Sequence, residues 1–171
     1  YVGVVTKAYR AAIDDFYAGS FDGERYQKEL HTTQNRGFSD AYLISRPFEK
    51  NDTQSHDFTI QYGTHQVAAL VGEDGLTWRC KDKTCVGDTV EIVLPHGASL
   101  DAVDNEYGKI ELIDGAYWLT IKKIISKEVR EFACIHSGDE RDILLPCMLP
   151  SYTILRRGID EALEKKGLTE A

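Results

Sequence analysis

No stretch of the 171-residue chain stays apolar for the roughly 20 residues needed to cross a bilayer, and no basic-then-apolar leader with a cleavage site opens it. A soluble, cytoplasmic protein without a membrane partner is expected. There is no GxGxxG or GxxxxGK loop, which excludes nucleotide binding through either strand-to-helix turn, and no HExxH or related spacing among the five histidines. Internal repeats and low-complexity tracts are missing as well. The single methionine is Met148, and the chain starts at Tyr1 inside what reads as a helix. The expectation is that an upstream segment has been removed.

Cysteine is sparse: Cys80, Cys85, Cys134 and Cys147. Four permit two bridges in any of three pairings. A core of this size needs no staples and a cytosolic setting keeps thiols reduced, so reduced thiols are expected, with Cys134 and Cys147 as small apolar core residues. As zinc ligands the set fits poorly. Cys80 and Cys85 have four residues between them, and Cys134, His136 and Cys147 follow as one close pair and one leap of ten. No metal is expected. A nucleophile and base such as Cys85 and His96 can be written down, but no pattern singles the pair out.

With 42% hydrophobic and 28% charged residues the chain is expected to fold. Its formal net charge of −8 argues against wholesale wrapping of nucleic acid while leaving room for a local basic face. Over residues 2–18 the apolar side chains Val4, Val5, Ala8, Tyr9, Ala12, Ile13, Phe16 and Tyr17 recur at three- and four-residue steps, the period of an amphipathic helix, and Gly19 supplies its stop. A second short helix is expected over 22–30, with Tyr26 and Leu30 on one side. Residues 33–43, TQNRGFSDAYL, hold turn and cap formers around Phe38 and mark a change in style.

Beyond it the period falls to two. Segments 57–62 and 66–72 read as a hairpin or adjacent strands, the latter ending at the Glu73-Asp74-Gly75 turn. Further strands are expected at 76–81, 89–94, 109–113, 118–125, 131–136 and 143–145, with turns at 87–88, 95–97, 114–115 and 137–139. Strands at this spacing without intervening helices predict a closed barrel or a sandwich, and the barrel is preferred. The tail LRRGIDEALEKKGLTEA predicts a short helix from about Ile159 to Lys166, with acidic residues early and lysines late. The chain thus divides into a helical linker, 1–40, and a β-barrel domain with a terminal helix, 41–171.

Two basic groups stand out. Arg79, Lys81 and Lys83 surround Trp78, and Lys122, Lys123, Lys127 and Arg130 follow. Either they form a face that meets phosphates, with Trp78 available for stacking, or they are a solvated strand face and turn.

Three segments, in order, carry a resemblance. YVGVVTKAYRAAIDDFYAG (1–19) resembles the helix that closes the catalytic region in the collagenase-like peptidase family. ELHTTQNRGFSDAYL (29–43) is similar to that family's segment with an arginine-glycine-aromatic triplet, here Arg36, Gly37 and Phe38. CVGDTVEIVLPHG (85–97) looks like its barrel strand, a glycine-aspartate turn followed by an acidic-hydrophobic strand and a proline-containing turn. The resemblance implies a C-terminal barrel like the second domain of elongation-factor-like translation proteins. Members of the family were named as peptidases, and others hydroxylate transfer or ribosomal RNA, some with prephenate and a cysteine-bound iron-sulfur cluster. Those activities belong to an upstream α/β barrel whose cysteine signature does not occur in these residues, so no cofactor is expected in this segment and the cluster would lie upstream. The resemblance therefore implies a non-catalytic accessory region whose partner is the upstream domain of the same chain. That region would hold an RNA or polypeptide substrate, with the first helix and the Arg36-Gly37-Phe38 loop as the seam. The candidate binding residues are Arg36, Phe38, Trp78, Lys81 and Lys83. The competing readings are a small cysteine hydrolase and a pure protein-interaction module.

Overall fold

In the computed structural model, which describes residues 1–35 and 63–160, backbone contacts separate two compact units, Tyr1–His65 and Gln66–Ala171. The predicted strand 57–62 lies outside the described residues.

In the first unit, α1 (Val2–Ala18) ends at Gly19, whose left-handed backbone (φ 75°) lets its N–H reach the Phe16 carbonyl while Ser20 N–H reaches Asp15. α2 (Gly23–Thr32) starts at Asp22, whose carboxylate accepts from the N–H groups of Glu24 and Arg25. The helices pack through Val4, Ala8 and Ala11 of α1 and Tyr26 of α2. The Tyr26 hydroxyl donates to Asp15 at 2.5 Å, and Arg25 pairs with the same carboxylate at 3.3 Å. Only part of the predicted apolar stripe is buried: Tyr9, Ile13, Phe16 and Tyr17 remain exposed, Tyr17 at 85%. Small residues bring the two helices close, and the large side chains fall outside their contact.

The second unit is mainly β. Its strands are β1 (His65–Val71), β2 (Thr77–Cys80), β3 (Thr84–Cys85), β4 (Thr89–Val93), β5 (Val103–Asp104) and β6 (Gly108–Ile113), then β7 (Ala116–Ile121), β8 (Ile124–Ile125), β9 (Glu131–Phe132), β10 (Cys134–Ile135), β11 (Ile143–Leu144) and β12 (Ile154–Gly158). Eight form one curled sheet in the order β11-β2-β1-β12-β4-β7-β6-β5, and β10-β3 and β8-β9 are two-stranded ribbons. An antiparallel bridge from Ser126 to Ile143 ties the second ribbon to the β11 edge. The result is a small β-barrel following a helical extension. Its core gathers Val71, Trp78, Val90, Ile110, Leu119, Ile124, Ile135, Ile143 and Leu155, all buried.

The turns fall where the glycines predict. Asp114 and Gly115 both have positive φ (50° and 81°), the two-residue turn whose twist suits the β6-β7 hairpin. Gly75 has no substitute: at φ +70° an added Cβ would lie 2.4 Å from the Leu149 carbonyl oxygen, which belongs to the loop whose N–H bonds to Gly75. At the C-terminus one strand was not anticipated. Ile154–Gly158, to which no element was assigned, is a central strand, and only Ile159 and Asp160 of the predicted helix lie among the described residues, both helical.

The turn before β2 is held by Asp74, which accepts from Leu76 N–H, Thr77 N–H and the Thr77 hydroxyl, and pairs with Lys127. These bonds, the Leu76 N–H first among them, hold its carboxyl down at about 2, below the ordinary 3.8. A carboxylate lowered by folding contributes stability that is fully present above its unfolded value and lost as the pH falls through its folded one. Asp74→Asn is therefore expected to lower the melting temperature at neutral pH, with the gap to wild type closing between about pH 3.8 and 2 in a melting-versus-pH series. A constant gap across that window would mean that the charge is not what holds the turn.

Candidate nucleic-acid interface

Alternation along β2 sorts its side chains. Trp78 and Cys80 point into the core, and Arg79, like Lys81 just beyond the strand, is exposed. Trp78, 2% exposed, is therefore a core residue, and its ring is not offered for stacking as expected. Arg79 and Lys81 line one groove of about 660 Å³, together with Leu70, Val71, Gly72, Glu73, Asp74, Thr77, Asp142 and Tyr152. Lys127 reaches the same place through its pair with Asp74. Tyr152 and Asp142 were not singled out in the sequence, where only the turn formers Pro150 and Ser151 hint at anything local.

Lys83 is half-buried in the segment joining β2 to β3, and an arginine in the core fixes it. Arg157 on β12, 1% exposed, donates to the Lys83 carbonyl at 2.9 Å and the Thr84 hydroxyl at 2.7 Å, and lies 3.5 Å from an Asp88 carboxylate oxygen. That oxygen also accepts from Cys85 N–H at 2.8 Å. Arg36 and Phe38 lie outside the described residues.

The basic residues do not assemble into one positive face. Arg79 meets Asp142 at 2.6 Å, Lys123 meets Glu106 at 2.9 Å, Lys127 meets Asp74 at 3.2 Å, and Lys122 bonds Asp104. These exposed pairs are worth little to stability, but they cancel the field that a polyanion would feel. Lys81, Lys83 and Arg130 have no ion-pair partner among the described residues.

The cysteines correct the expectation of four free thiols. Cys85 and Cys134 stand directly opposite each other in the β3-β10 ribbon, Cα atoms 4.0 Å apart, and form a disulfide. Adjacent strands bring together positions 49 apart in sequence, a proximity no spacing rule could show. The core residue is instead Cys80, whose thiol donates to the Asp82 carbonyl, while Cys134 is exposed and Cys147 half-buried. Burial pushes both free thiols up from their usual value, the reverse of what a nucleophile needs. That removes the support for a cysteine hydrolase using either. Among the described residues no group of three or more His, Cys, Asp and Glu is placed to hold a metal ion, and no helix is long and apolar enough to cross a membrane.

With this geometry in hand, comparison with known proteins adds the lineage. The pattern of Peptidase family U32 matches residues 1–53. Two proteins named tRNA hydroxylation protein P, from two strains of Helicobacter pylori, are 39% and 38% identical over 156 residues, 91% of this chain and 37% of theirs. The chain thus spans little more than a third of the length of the curated relatives it matches. No solved structure matches it. Residues 1–53 thus fit the pattern of Peptidase family U32, and nearly the whole chain is similar to these relatives, in keeping with the resemblance to the collagenase-like peptidases.

Proposed function

We propose that the chain is an accessory region of an RNA-hydroxylating member of its family, holding a transfer RNA in the cytoplasm for a catalytic barrel upstream. The observation that carries this is the 39% identity to a tRNA hydroxylation protein along 91% of the chain. The elevated free thiols agree with an accessory rather than a catalytic role. Fluorescence anisotropy with structured transfer RNA and with a gelatin-derived peptide, each at low and moderate salt, tests the choice of substrate. Binding of the RNA and not of the peptide is expected; the reverse would return the reading to a peptidase.

The exposed apolar side chains of α1 support the upstream domain as partner, since Phe16, Tyr17 and Tyr9 are a costly set to leave in water. In the full-length protein, Phe16→Ser with Tyr17→Ser is expected to reduce transfer-RNA hydroxylation about tenfold while leaving the melting of the 171-residue chain unchanged. Unchanged hydroxylation would show that this side of α1 is not the seam.

A further inference from the structure

Tyr152 is held in a backbone conformation that tyrosine avoids. Its φ is +63°, and the ring is 67% exposed, so packing does not compensate the strain. The turn around it is nevertheless fixed: the Ser151 hydroxyl donates to the Glu73 carbonyl, Thr153 bonds back to Pro150 through both its N–H and its hydroxyl, and Val71 N–H bonds to Thr153. Rigid loops on both sides therefore present an aromatic ring at the wall of the groove described above.

The groove's charge says what such a ring would meet. Arg79, Lys81 and Lys127 face Glu73, Asp74 and Asp142, three of each sign, so nothing attracts a phosphate backbone as a whole. A nucleobase is different. It is uncharged, stacks on an aromatic face, and carries donors for carboxylates and acceptors for a guanidinium along its edge. We propose that this groove takes one unpaired nucleotide of an RNA, its base stacked on Tyr152, its edge facing Glu73, Asp142 and Arg79, and its phosphate meeting Lys81. The site rests on the RNA-holding reading above and adds that the recognised element is single-stranded, since a paired base would keep its face and its edge to itself.

The test is anisotropy of the 171-residue chain with a labelled unstructured oligoribonucleotide and with a duplex of the same composition. The single strand is expected to bind at least tenfold tighter, with a slope of log K against log salt of only about −0.7, the signature of about one phosphate contact on a single strand. Tyr152→Ala is expected to weaken binding about tenfold, within the range for loss of one stacked base, and Tyr152→Phe to retain it. Tyr152→Gly should lose binding yet melt no lower than wild type, because glycine accepts φ +63° freely, which separates a lost contact from a lost fold. Wild-type binding that Tyr152→Ala leaves intact would overturn the site while the RNA reading stands. A wild-type chain that binds neither RNA would overturn both.

Discussion

Replacing Arg156 by methionine is expected to cost about 3–5 kcal/mol of folding stability, the loss typical when one partner of a buried ion pair is removed. Arg156 on β12 faces Glu91 on β4 in the sheet register. Its guanidinium donates from Nε at 2.7 Å and from a terminal nitrogen at 2.9 Å, one to each carboxylate oxygen. Both side chains are buried, at 8% and 12% exposed. Without the guanidinium the carboxylate keeps its desolvation cost and loses its two strongest bonds. The double variant Glu91→Leu with Arg156→Met is expected to recover most of the loss, because an apolar pair of similar volume removes the stranded charge along with the pair. Urea unfolding of wild type, both single variants and the double variant gives the coupling directly. A single-variant cost below about 1 kcal/mol would place the pair among the weak surface pairs, and β12 would then be held by its backbone ladder, Leu155 and the Arg157 contacts.

This pair also explains why this strand was not legible in the sequence. Ile-Leu-Arg-Arg-Gly carries two adjacent cations, which in a local window give no strand signal. On a strand, adjacent residues face opposite sides. Arg156 finds Glu91, and Arg157 finds Asp88 and the Lys83 carbonyl, partners 65 to 74 residues away. Only the completed sheet reveals that both can be buried. The glycine-punctuated strands were readable because their signals are local: Gly87, Gly97, Gly115 and Gly138 all adopt the positive φ that their turns demand. The place of Trp78, taken from its neighbours' charge as a stacking ring, was misread although the local signal was there. It sits one residue from Arg79 and two from Cys80, so period two puts it on the cysteine's side and away from the cations. The helix α1 was legible as a helix, but which of its apolar residues are buried depends on α2, and that contact selects the small ones, Ala8 and Ala11. Of the candidate interface, Lys81 was found from charge alone. Tyr152 escaped because backbone strain has no composition to betray it.

Cys134→Ser is expected to lower the stability of the oxidised protein by about 4 kcal/mol, the chain-entropy value for a bridge that closes a loop of this length. The bridge joins Cys85 and Cys134, 49 positions apart, across a ribbon in which β3 and β10 contribute two residues each. So short a ribbon has little ladder of its own, and the covalent link carries much of its persistence. Cys85 N–H is anchored to Asp88, and Arg157 grips the preceding Thr84, so β3 is fixed from the core side. The strand that loosens on cleavage is β10, with the exposed Cys134. A thiol reductant should therefore lower the melting temperature of wild type by as much as the serine substitution does, and should leave the Cys134→Ser variant unchanged. If wild type melts identically with and without reductant, the bridge contributes nothing to stability or the two sulfurs are already thiols. Stability would then rest on the core around Ile135 and Ile143. If the reductant does destabilise it, the same titration with single-stranded RNA present shows whether the groove shares the change. Lys83 and Thr84 are held by Arg157 whether or not the bridge is closed, so binding at Tyr152 is expected to persist after reduction while the β10 edge opens.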